Sequence, residues 1–473
     1  MNGSPIPDSL VAMMIVVLCF FIVYATLLYV RNVYRLKKYF RKLRSPRLTI
    51  EDLQVLARDY KKELPAITIL VPARNEGYVI GNTVRNLAAL DYPKDLYRAL
   101  FIVDEREMDD DVEELTKDVI RRLADPVNAQ CGFPLFTTLE VPKWYSGTFG
   151  DARHTYKNST KGRALNYALE YMRDSADWQG TLIGVLDADG RLDKNVLKEV
   201  AYKRILHDSK LMQGPVFQVT NFDRVSIMGM LGALELAIHH MTEIPKRLLS
   251  KKKRLQVLAG TNYFIEKELL IQMGGWDCDS LVEDAELAVR IYAGRRITAH
   301  WLSWPEVEQT IPCFAAYKKQ RERWVRGFLG LSRNVLRLPI PLGDKVRFIA
   351  RTYLLLVRVM MDVGAVFFGM VLILSGALRD LSLPFQIVLL AWLIMSMVIW
   401  DFYGLMYRML AGYISPRMSL NDKVAISGRL FFFMPIFVFA HSIPKVTGFI
   451  KYLFSIDQGI WDKSERTREE YLT

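Results

Sequence analysis

Short apolar runs alternate with helical patterns through the middle of the chain, between about Leu64 and Leu336. The runs AITILV, RALFIV and TLIGVL have the composition of buried strands, whereas YVIGNTVRNLAAL and GRALNYALEYM repeat apolar positions at helical spacing. This alternation predicts an α/β domain with a mostly parallel sheet and crossover helices. Ligands bind at the carboxyl ends of strands in such open sheets, so we expect the chemistry there.

Longer apolar stretches flank this domain. Leu10–Val30 carries no charge over a length that crosses about 30 Å of hydrocarbon, and its basic residues follow it, whereas those of a signal peptide come first. Thr352–Leu374 and Pro384–Leu405 are also long enough to span. Leu430–Leu453 is interrupted by prolines, so it either spans or lies in the interface. The sequence therefore predicts a multi-pass integral membrane protein.

Positive charge is concentrated beside the apolar segments. Arg31–Arg47 has no acidic residue, which places this side of the first predicted helix in the cytosol. Much of the net charge of +12 lies there and in the clusters Pro245–Arg254 and Lys318–Arg326. These clusters suggest anionic headgroups or phosphorylated ligands as partners, and not nucleic acid, since two of them adjoin apolar stretches. The four cysteines are scattered without a C-x-x-C pair, which indicates neither a zinc site nor a disulfide framework.

These patterns divide the chain into six predicted parts. They are an N-terminal transmembrane helix (1–32), a basic juxtamembrane linker (33–63), a cytosolic α/β domain (64–317), an amphipathic interface helix (318–345), a C-terminal membrane region with two or three spans (346–454) and a cytosolic tail (455–473). The sequence leaves the oligomeric state open.

Two aspartates follow the strand TLIGVL. Asp187 and Asp189 point to the same side of an extended segment, and paired carboxylates suit Mg²⁺ or Mn²⁺ that is shared with a diphosphate. A plain polar turn explains the same residues. An EF-hand is excluded because Gly190 follows directly and Lys198 stands at the closing position.

Two other strand ends carry polar groups. Pro72 and Glu76 follow the first apolar run, and Asp104 with Glu105 follows RALFIV. These residues either grip a base or ribose or form ordinary strand-to-helix loops.

Two helical motifs complete the set of candidate residues. Glu283 and Asp284 stand where an apolar helical pattern begins, and such acids are either helix-capping residues or a catalytic base. Gln320, Arg323 and Trp324 offer an amide, a phosphate-binding guanidinium and an aromatic ring on an amphipathic basic helix. That composition is also typical of an anchor at the membrane surface.

The motifs taken together, in their order along the chain, indicate a protein family more specifically than any single motif does. The chain gives VPARNE, VDE, KGRALN, DAD, AGTNY with GGWD, VEDAELAVR and QRERW. This order resembles the family 2 glycosyltransferases that include cellulose, chitin and hyaluronan synthases and glucosylceramide-synthase-like enzymes. The resemblance covers about Ile67 to Leu331, and it implies a GT-A-type fold, a UDP-sugar donor and a divalent metal, Mg²⁺ or Mn²⁺.

The resemblance also implies a role for each matched position, with Asp284 as the general base and helix capping as a compatible second role for Glu283 or its neighbours. The implied donor-binding residues are Pro72, Glu76, Asp104, Glu105, Lys161, Asp187 and Arg323; the acceptor-binding residues are Gly260, Thr261, Glu283, Gln320 and Trp324; and the metal ligands are Asp187 and Asp189.

The chain departs from the family pattern in places. It has VDEREMDDD where the family has adjacent aspartates before a glycine, so either Asp104 or Glu105 would contact the base. The tail carries Trp461 followed by Lys, Thr and Arg, similar to the gating segment that covers the donor in related synthases. A cytosolic tail of that kind conflicts with a single crossing at 430–453.

The expected function is that of an inverting hexosyltransferase that glycosylates a membrane lipid or lipid-linked acceptor at the cytosolic face and forms a β-glycosidic bond. The alternative is a processive polysaccharide synthase with coupled translocation, for which three or four crossings make a wide tunnel harder to build. A binding or transport protein with an inactive transferase domain is disfavoured, because Asp187, Asp189, Asp284, Arg323 and Trp324 are all present.

Overall fold

The computed structural model of the protein describes residues 8–150, 161–174, 182–250, 252–353, 402–414, 418–456 and 466–468. Its strands are β1 (Ile67–Ala73), β2 (Tyr97–Asp104), β3 (Phe136–Val141), β4 (Leu182–Val185), β5 (Arg191–Leu192), β6 (Leu211–Gln213), β7 (Val216–Gln218), β8 (Tyr263–Glu266), β9 (His300–Trp301) and β10 (Glu306–Glu308). Its helices include α1 (Asp8–Phe40), α2 (Ile50–Asp59), α3 (Ile80–Ala88), α4 (Thr116–Cys131), α5 (Lys161–Asp174), α6 (Val196–His207), α7 (Ile227–Leu248), α8 (Lys267–Gln272), α9 (Glu283–Arg295), α10 (Phe314–Arg337), α11 (Leu420–Ala440) and α12 (Ile443–Leu453).

The central sheet confirms the predicted α/β class. Its strand order is β3-β2-β1-β4-β8-β6-β9. The pairs among β1 to β4 are parallel, and β8 alone runs antiparallel to its neighbours β4 and β6. Helices cover both faces of the parallel part, which is why β1 and β2 are almost continuously apolar.

A second, three-stranded sheet in the order β5-β10-β7 lies against the end of β4. Glu306 of β10 pairs with Leu192 of β5 and with Val216 of β7. β5 follows the D-x-D turn directly, so this pairing brings β10 alongside that turn.

Among the described residues, three of the four buried apolar clusters hold these layers together. One on each face of the central sheet contains residues of β1 and β2, such as Ile69 and Leu100. The third joins the end of α1 to α7, α10 and α11 through Leu36, Leu234 and Tyr317. Helices α1 and α11 are thus packed against α7 and α10.

The observed helices differ from the predicted parts in three places. α1 continues to Phe40 and α2 occupies Ile50–Asp59, so much of the predicted linker is helical. α10 begins at Phe314 and ends at Arg337, before the predicted end of the interface helix. The apolar stretch 430–453 belongs to two helices, α11 and α12, with a break at residues 441 and 442.

Membrane crossing stays a prediction. Among the ranges that the structure describes, no helix is long and apolar enough to cross a membrane. The predicted spans Thr352–Leu374 and Pro384–Leu405 lie almost entirely outside the described residues.

Candidate active site

Acidic side chains converge at the carboxyl ends of β1 and β4 and on β10. They are Glu76, Asp187, Asp189, Glu306 and Glu308. Burial raises the pKa of both Glu306 and Glu308, the two aspartates raise it further, and Glu76 joins the group because it acts on the same Arg466 guanidinium as Asp189 and Glu308. Lys161 and Arg466 provide positive charge next to them. The sheet edge predicted from the sequence therefore carries a dense cluster of charged groups, which we call the pocket.

Lys161 and Asp187 form an ion pair at the start of α5. The Lys161 ammonium also donates to the carbonyl oxygen of Gly260 at 2.8 Å. Burial would raise the pKa of Asp187, but Lys161 and then Arg466 outweigh it and lower that pKa. Gly260 has a φ of +78°, which explains why a glycine presents this carbonyl group.

Asp189 is buried at the base of the pocket. The backbone N–H of Gln309 donates to its Oδ2 at 2.9 Å, and Nη2 of Arg466 lies 2.9 Å from its Oδ1. Burial raises the pKa of Asp189, and Asp187 adds to this, although Arg466 opposes it. The carboxylate therefore needs a nearby cation to stay ionised.

β10 contributes two acids that sequence reasoning did not assign. The Thr261 hydroxyl donates to Glu306 at 2.8 Å, and Nε2 of Gln218 donates to Oε1 of Glu308 at 2.7 Å. A Cβ on Gly190 would lie 2.3 Å from Oε1 of Glu306, so the glycine of the DADG motif makes room for this acid. The E-x-E spacing on a short strand was the available signal, since it puts both side chains on one face.

Three of these carboxylates fit a divalent cation. Oxygen atoms of Asp187, Asp189 and Glu308 all lie within 4.8 Å of one another. Oδ1 of Asp189 and Oε2 of Glu308 are buried and have no hydrogen-bond partner among the described residues. Hard carboxylate oxygens are the ligands that Mg²⁺ and Mn²⁺ prefer. The predicted pair Asp187 and Asp189 thus gains Glu308 as a third candidate ligand.

Asp284 lies in the first turn of α9, half-buried and close to Gly260. Its Oδ2 would be 3.6 Å from a Cβ at that glycine. Burial and the neighbouring Glu283 raise the pKa of Asp284 to about 7, while the backbone N–H of Ala285 and Lys161 oppose the shift. The position before the helix is Val282, so neither acid is the N-cap residue. A carboxyl group with a pKa near the working pH suits a general base.

The pH profile should report this base. A protonated Asp284 cannot accept a proton, so we expect kcat/KM to fall as the pH drops below about 7. Glu283→Gln removes the neighbouring negative charge and should move this acidic limb to lower pH. A limb that stays in place in Glu283→Gln, measured by initial rates across pH, would contradict the assignment.

The Gln-x-x-Arg-Trp motif packs against the loop that precedes α9. Gln320 is buried, and Nη1 of Arg323 donates to the carbonyl oxygen of Leu281 at 3.2 Å. Trp324 stacks with Arg321, whose guanidinium carbon lies 4.3 Å from the ring centroid. Arg323 also helps to lower the pKa of Asp187, so its guanidinium lies near the pocket.

The predicted base-binding residues lie together at the ends of β1 and β2. Nη1 of the buried Arg163 donates to Asp104 at 2.8 Å, and the backbone N–H of Arg106 donates to its other oxygen at 3.0 Å. Glu105 accepts the backbone N–H of Lys143 at 2.8 Å. Asp104 is thus held in place by Arg163, a pairing that the sequence did not indicate.

Glu76 and Pro72 are the remaining donor-side candidates. Glu76 is buried and its backbone N–H donates to the Thr116 hydroxyl at 2.8 Å. Pro72 lies opposite Ile102 of β2, beyond the last residue of β1 that pairs with β4. Pro72 and Glu76 therefore both lie at the carboxyl end of β1.

Similar known proteins are named as glycosyltransferases or sugar-lipid synthases. The chain is 26% identical over 278 residues to the probable glycosyltransferase YdaM of Bacillus subtilis, covering 57% of each chain. It is 23% identical over 273 residues to the beta-monoglucosyldiacylglycerol synthase of Synechocystis, covering 56% of this chain and 48% of the relative. The chain thus spans about half the length of these relatives.

Among solved structures, the mannosyltransferase PcManGT from Pyrobaculum calidifontis, in complex with GDP-Man and Mn²⁺, aligns with a TM-score of 0.45 and 16% identity. The alignment covers 90% of this chain and 99% of PcManGT. The sequence profile of the family described as glycosyl transferase family group 2 matches residues 182–440, which contain the D-x-D turn, Asp284 and the Gln-x-x-Arg-Trp motif. The chain therefore belongs to glycosyl transferase family group 2.

Proposed function

We propose that the protein is an inverting, metal-dependent hexosyltransferase that moves a sugar from a UDP-sugar to a membrane lipid and forms a β-glycosidic bond at the cytosolic face. The observation that carries this proposal is the convergence of Asp187, Asp189 and Glu308, with Lys161 paired to Asp187 and also close to Asp284. A diphosphate donor needs the cation-binding carboxylates and the lysine, and an acceptor hydroxyl needs a carboxylate base next to them.

Asp284 would accept the proton of the attacking hydroxyl. A sugar or lipid hydroxyl does not ionise freely at neutral pH, so a positioned carboxylate removes its proton as the new bond forms. The pKa of about 7 leaves a large fraction of Asp284 unprotonated at cellular pH. A single displacement by that hydroxyl inverts the anomeric centre, and an α-linked donor then gives a β-linked product.

Lys161 and Arg323 would stabilise the departing diphosphate. Burial lowers the pKa of Lys161, but Asp187 and Glu283 outweigh it, so the pKa is raised and the ammonium stays charged. A bound Mg²⁺ or Mn²⁺, held by Asp187, Asp189 and Glu308, would supply Lewis-acid neutralisation of the same negative charge. Fixed cations around a leaving group are a main source of transition-state stabilisation.

Trp324 and Gln320 would place the acceptor. They lie on α10 next to the loop that leads to Asp284, so a group that contacts them is close to the base. Gly260 and Thr261 border the same space, with Gly260 close to Asp284. Near-attack positioning of this kind raises the effective concentration of the hydroxyl.

A lipid acceptor is supported by two observations. Several relatives are named beta-monoglucosyldiacylglycerol synthases. α11 also exposes a row of large apolar side chains, namely Phe431, Phe432, Phe433, Ile436 and Phe439. Exposed apolar surface of this extent is typical of membrane or partner contact, so it supports a catalytic domain that lies on the cytosolic membrane face.

The test is a turnover screen with purified protein in nanodiscs. A panel of nucleotide sugars is incubated with Mn²⁺ or Mg²⁺, and released nucleoside diphosphate is measured with and without diacylglycerol. We expect release from a UDP-sugar that requires the lipid and yields a glycolipid. Sustained release without lipid, together with a high-molecular-mass glycan by gel filtration, would replace this proposal with polysaccharide synthesis.

A further inference from the structure

Three residues of the C-terminal tail, Arg466 to Arg468, lie across the pocket, and we call them the strap. Arg466 contacts Asp189. Thr467 forms two amide contacts with Gln309, because its N–H donates to Oε1 at 2.9 Å and its carbonyl accepts Nε2 at 2.8 Å. Nδ2 of Asn221 donates to the Thr467 hydroxyl at 2.7 Å. The strap is therefore docked through specific hydrogen bonds.

Arg466 enters the group of carboxylates that fits a cation. Its side chain is only 10% exposed, and that of Asp189 is fully buried. Burial would lower the pKa of Arg466, but Asp189, Glu76 and Glu308 raise it, so the guanidinium is firmly charged. A positive charge thus stands where negative charge is densest, which is also where a metal ion would bind.

The guanidinium satisfies these carboxylates only in part. Nη2 lies within ion-pair distance of Oδ1 of Asp189, yet that oxygen has no aligned hydrogen bond among the described residues. Nε of Arg466 and Oε2 of Glu308 are likewise buried without a hydrogen-bond partner in the described part of the chain. Buried polar atoms without partners are costly, so a divalent ion that ligates these oxygens directly would be preferred.

Gln309 connects the strap to the cation ligands. Its backbone N–H holds Oδ2 of Asp189 while its side chain holds Thr467. A shift of Asp189 on cation binding would therefore also move Gln309, which anchors the strap. Release of Arg466 and occupation of the site are coupled through one amino acid.

We propose that Arg466 closes the cation site until a divalent cation displaces it, and that the cation and this guanidinium compete for Asp189 and Glu308. The strap is then an autoinhibitory contact that yields when the cation arrives. This inference rests on the proposed function, because it assigns the same carboxylates to the cation.

The experiment is a titration of the full-length protein in nanodiscs with Mn²⁺ alone, read by electron paramagnetic resonance of free Mn²⁺. Arg466→Ala removes the competing charge, so we expect Mn²⁺ to bind about tenfold or more tightly than to the wild type. Arg466→Lys keeps the charge and should remain nearer to the wild type.

Arg468→Ala is the matched control. It removes the same charge two residues away, but its ion pair with Glu113 is exposed, with side chains 75% and 79% accessible. Screened surface charges have little effect on a buried site, so Mn²⁺ affinity should not change. Thermal unfolding of each variant checks that the fold is retained.

These measurements distinguish a failure of the proposed competition from a failure of the proposed cation site. Mn²⁺ binding that is lost in Asp189→Ala but equal in Arg466→Ala and wild type would overturn the competition alone. Mn²⁺ binding that survives Asp189→Ala would overturn the cation site itself, and the competition with it. Equal tightening by Arg466→Ala and Arg468→Ala would overturn a specific role for Arg466.

Discussion

Replacement of Asp284 by Asn is expected to lower kcat for sugar transfer by about 10²- to 10⁴-fold, which is the usual contribution of a general base. The amide keeps the shape of the side chain but cannot accept the hydroxyl proton. The donor-binding groups around Asp187 and Lys161 are untouched, so the affinity for nucleoside diphosphate should stay close to that of the wild type. Initial rates and UDP titration calorimetry measure the two effects.

Glu286→Gln is the control for this substitution. Glu286 lies in the same helix, two residues further on, and forms an ion pair with Arg290 at 2.8 Å. It makes the same chemical change without touching Gly260, so its loss of kcat should be small. Wild-type turnover by Asp284→Asn, or an equal loss in the two variants, would refute the assignment of the base.

Asp189→Asn is expected to abolish measurable Mn²⁺ binding, and Glu308→Gln to weaken it by about tenfold or more. Both substitutions keep the side-chain volume but remove a charged oxygen ligand, and divalent cations depend on carboxylate charge for affinity. In Glu308→Gln the neighbouring Gln218 can still form a side-chain hydrogen bond. Direct Mn²⁺ titration by calorimetry measures the change without reliance on turnover.

Glu140→Gln provides the comparison for the cation ligands. Glu140 lies on β3 and forms ion pairs with Lys117 and Arg121 of α4, away from the three converging carboxylates. Its Mn²⁺ affinity should equal that of the wild type. Unchanged Mn²⁺ binding in Glu308→Gln would remove Glu308 from the ligand set and leave the two aspartates of the D-x-D turn.

Much of the α/β layer was predictable because parallel strands that are buried on both faces have continuous apolar sequences. AITILV, RALFIV and TLIGVL became β1, β2 and β4, and the patterns between them became α3 and α5. The position of the pocket followed from the same logic, since the ends of those strands meet at one edge of the sheet. Asp187 and Asp189 could therefore be placed at that edge from the sequence, whereas Lys161 was assigned only through the family resemblance.

The helical course of the basic segment was harder to predict. Arg and Lys favour helices as well as linkers, and the deciding contacts are tertiary, since Leu36 and Tyr39 are buried against distant residues. The capping box that starts α2, with Thr49 and Asp52, is visible in the sequence and was a missed signal.

The missing parts of the site come from distant positions in the chain. Glu308 and Arg466 reach Asp189 across more than a hundred residues, and pairing over such separations leaves no local pattern. Asp104 shows the same limit, because it ends β2 whereas the buried Arg163 that holds it lies on α5, 59 residues further along the chain. The two aspartates could be identified from local sequence motifs, but the residues that contact them could be identified only from the fold.

The most direct test of the account is the anomeric configuration of the product lipid. Purified protein, Mn²⁺, diacylglycerol and an α-linked UDP-sugar are allowed to react, and the isolated glycolipid is examined by proton nuclear magnetic resonance. Inverting transfer through Asp284 predicts a β-linked sugar whose formation is lost in Asp284→Asn. An α-linked sugar, or a β-linked product that Asp284→Asn forms at the wild-type rate, would contradict the mechanism.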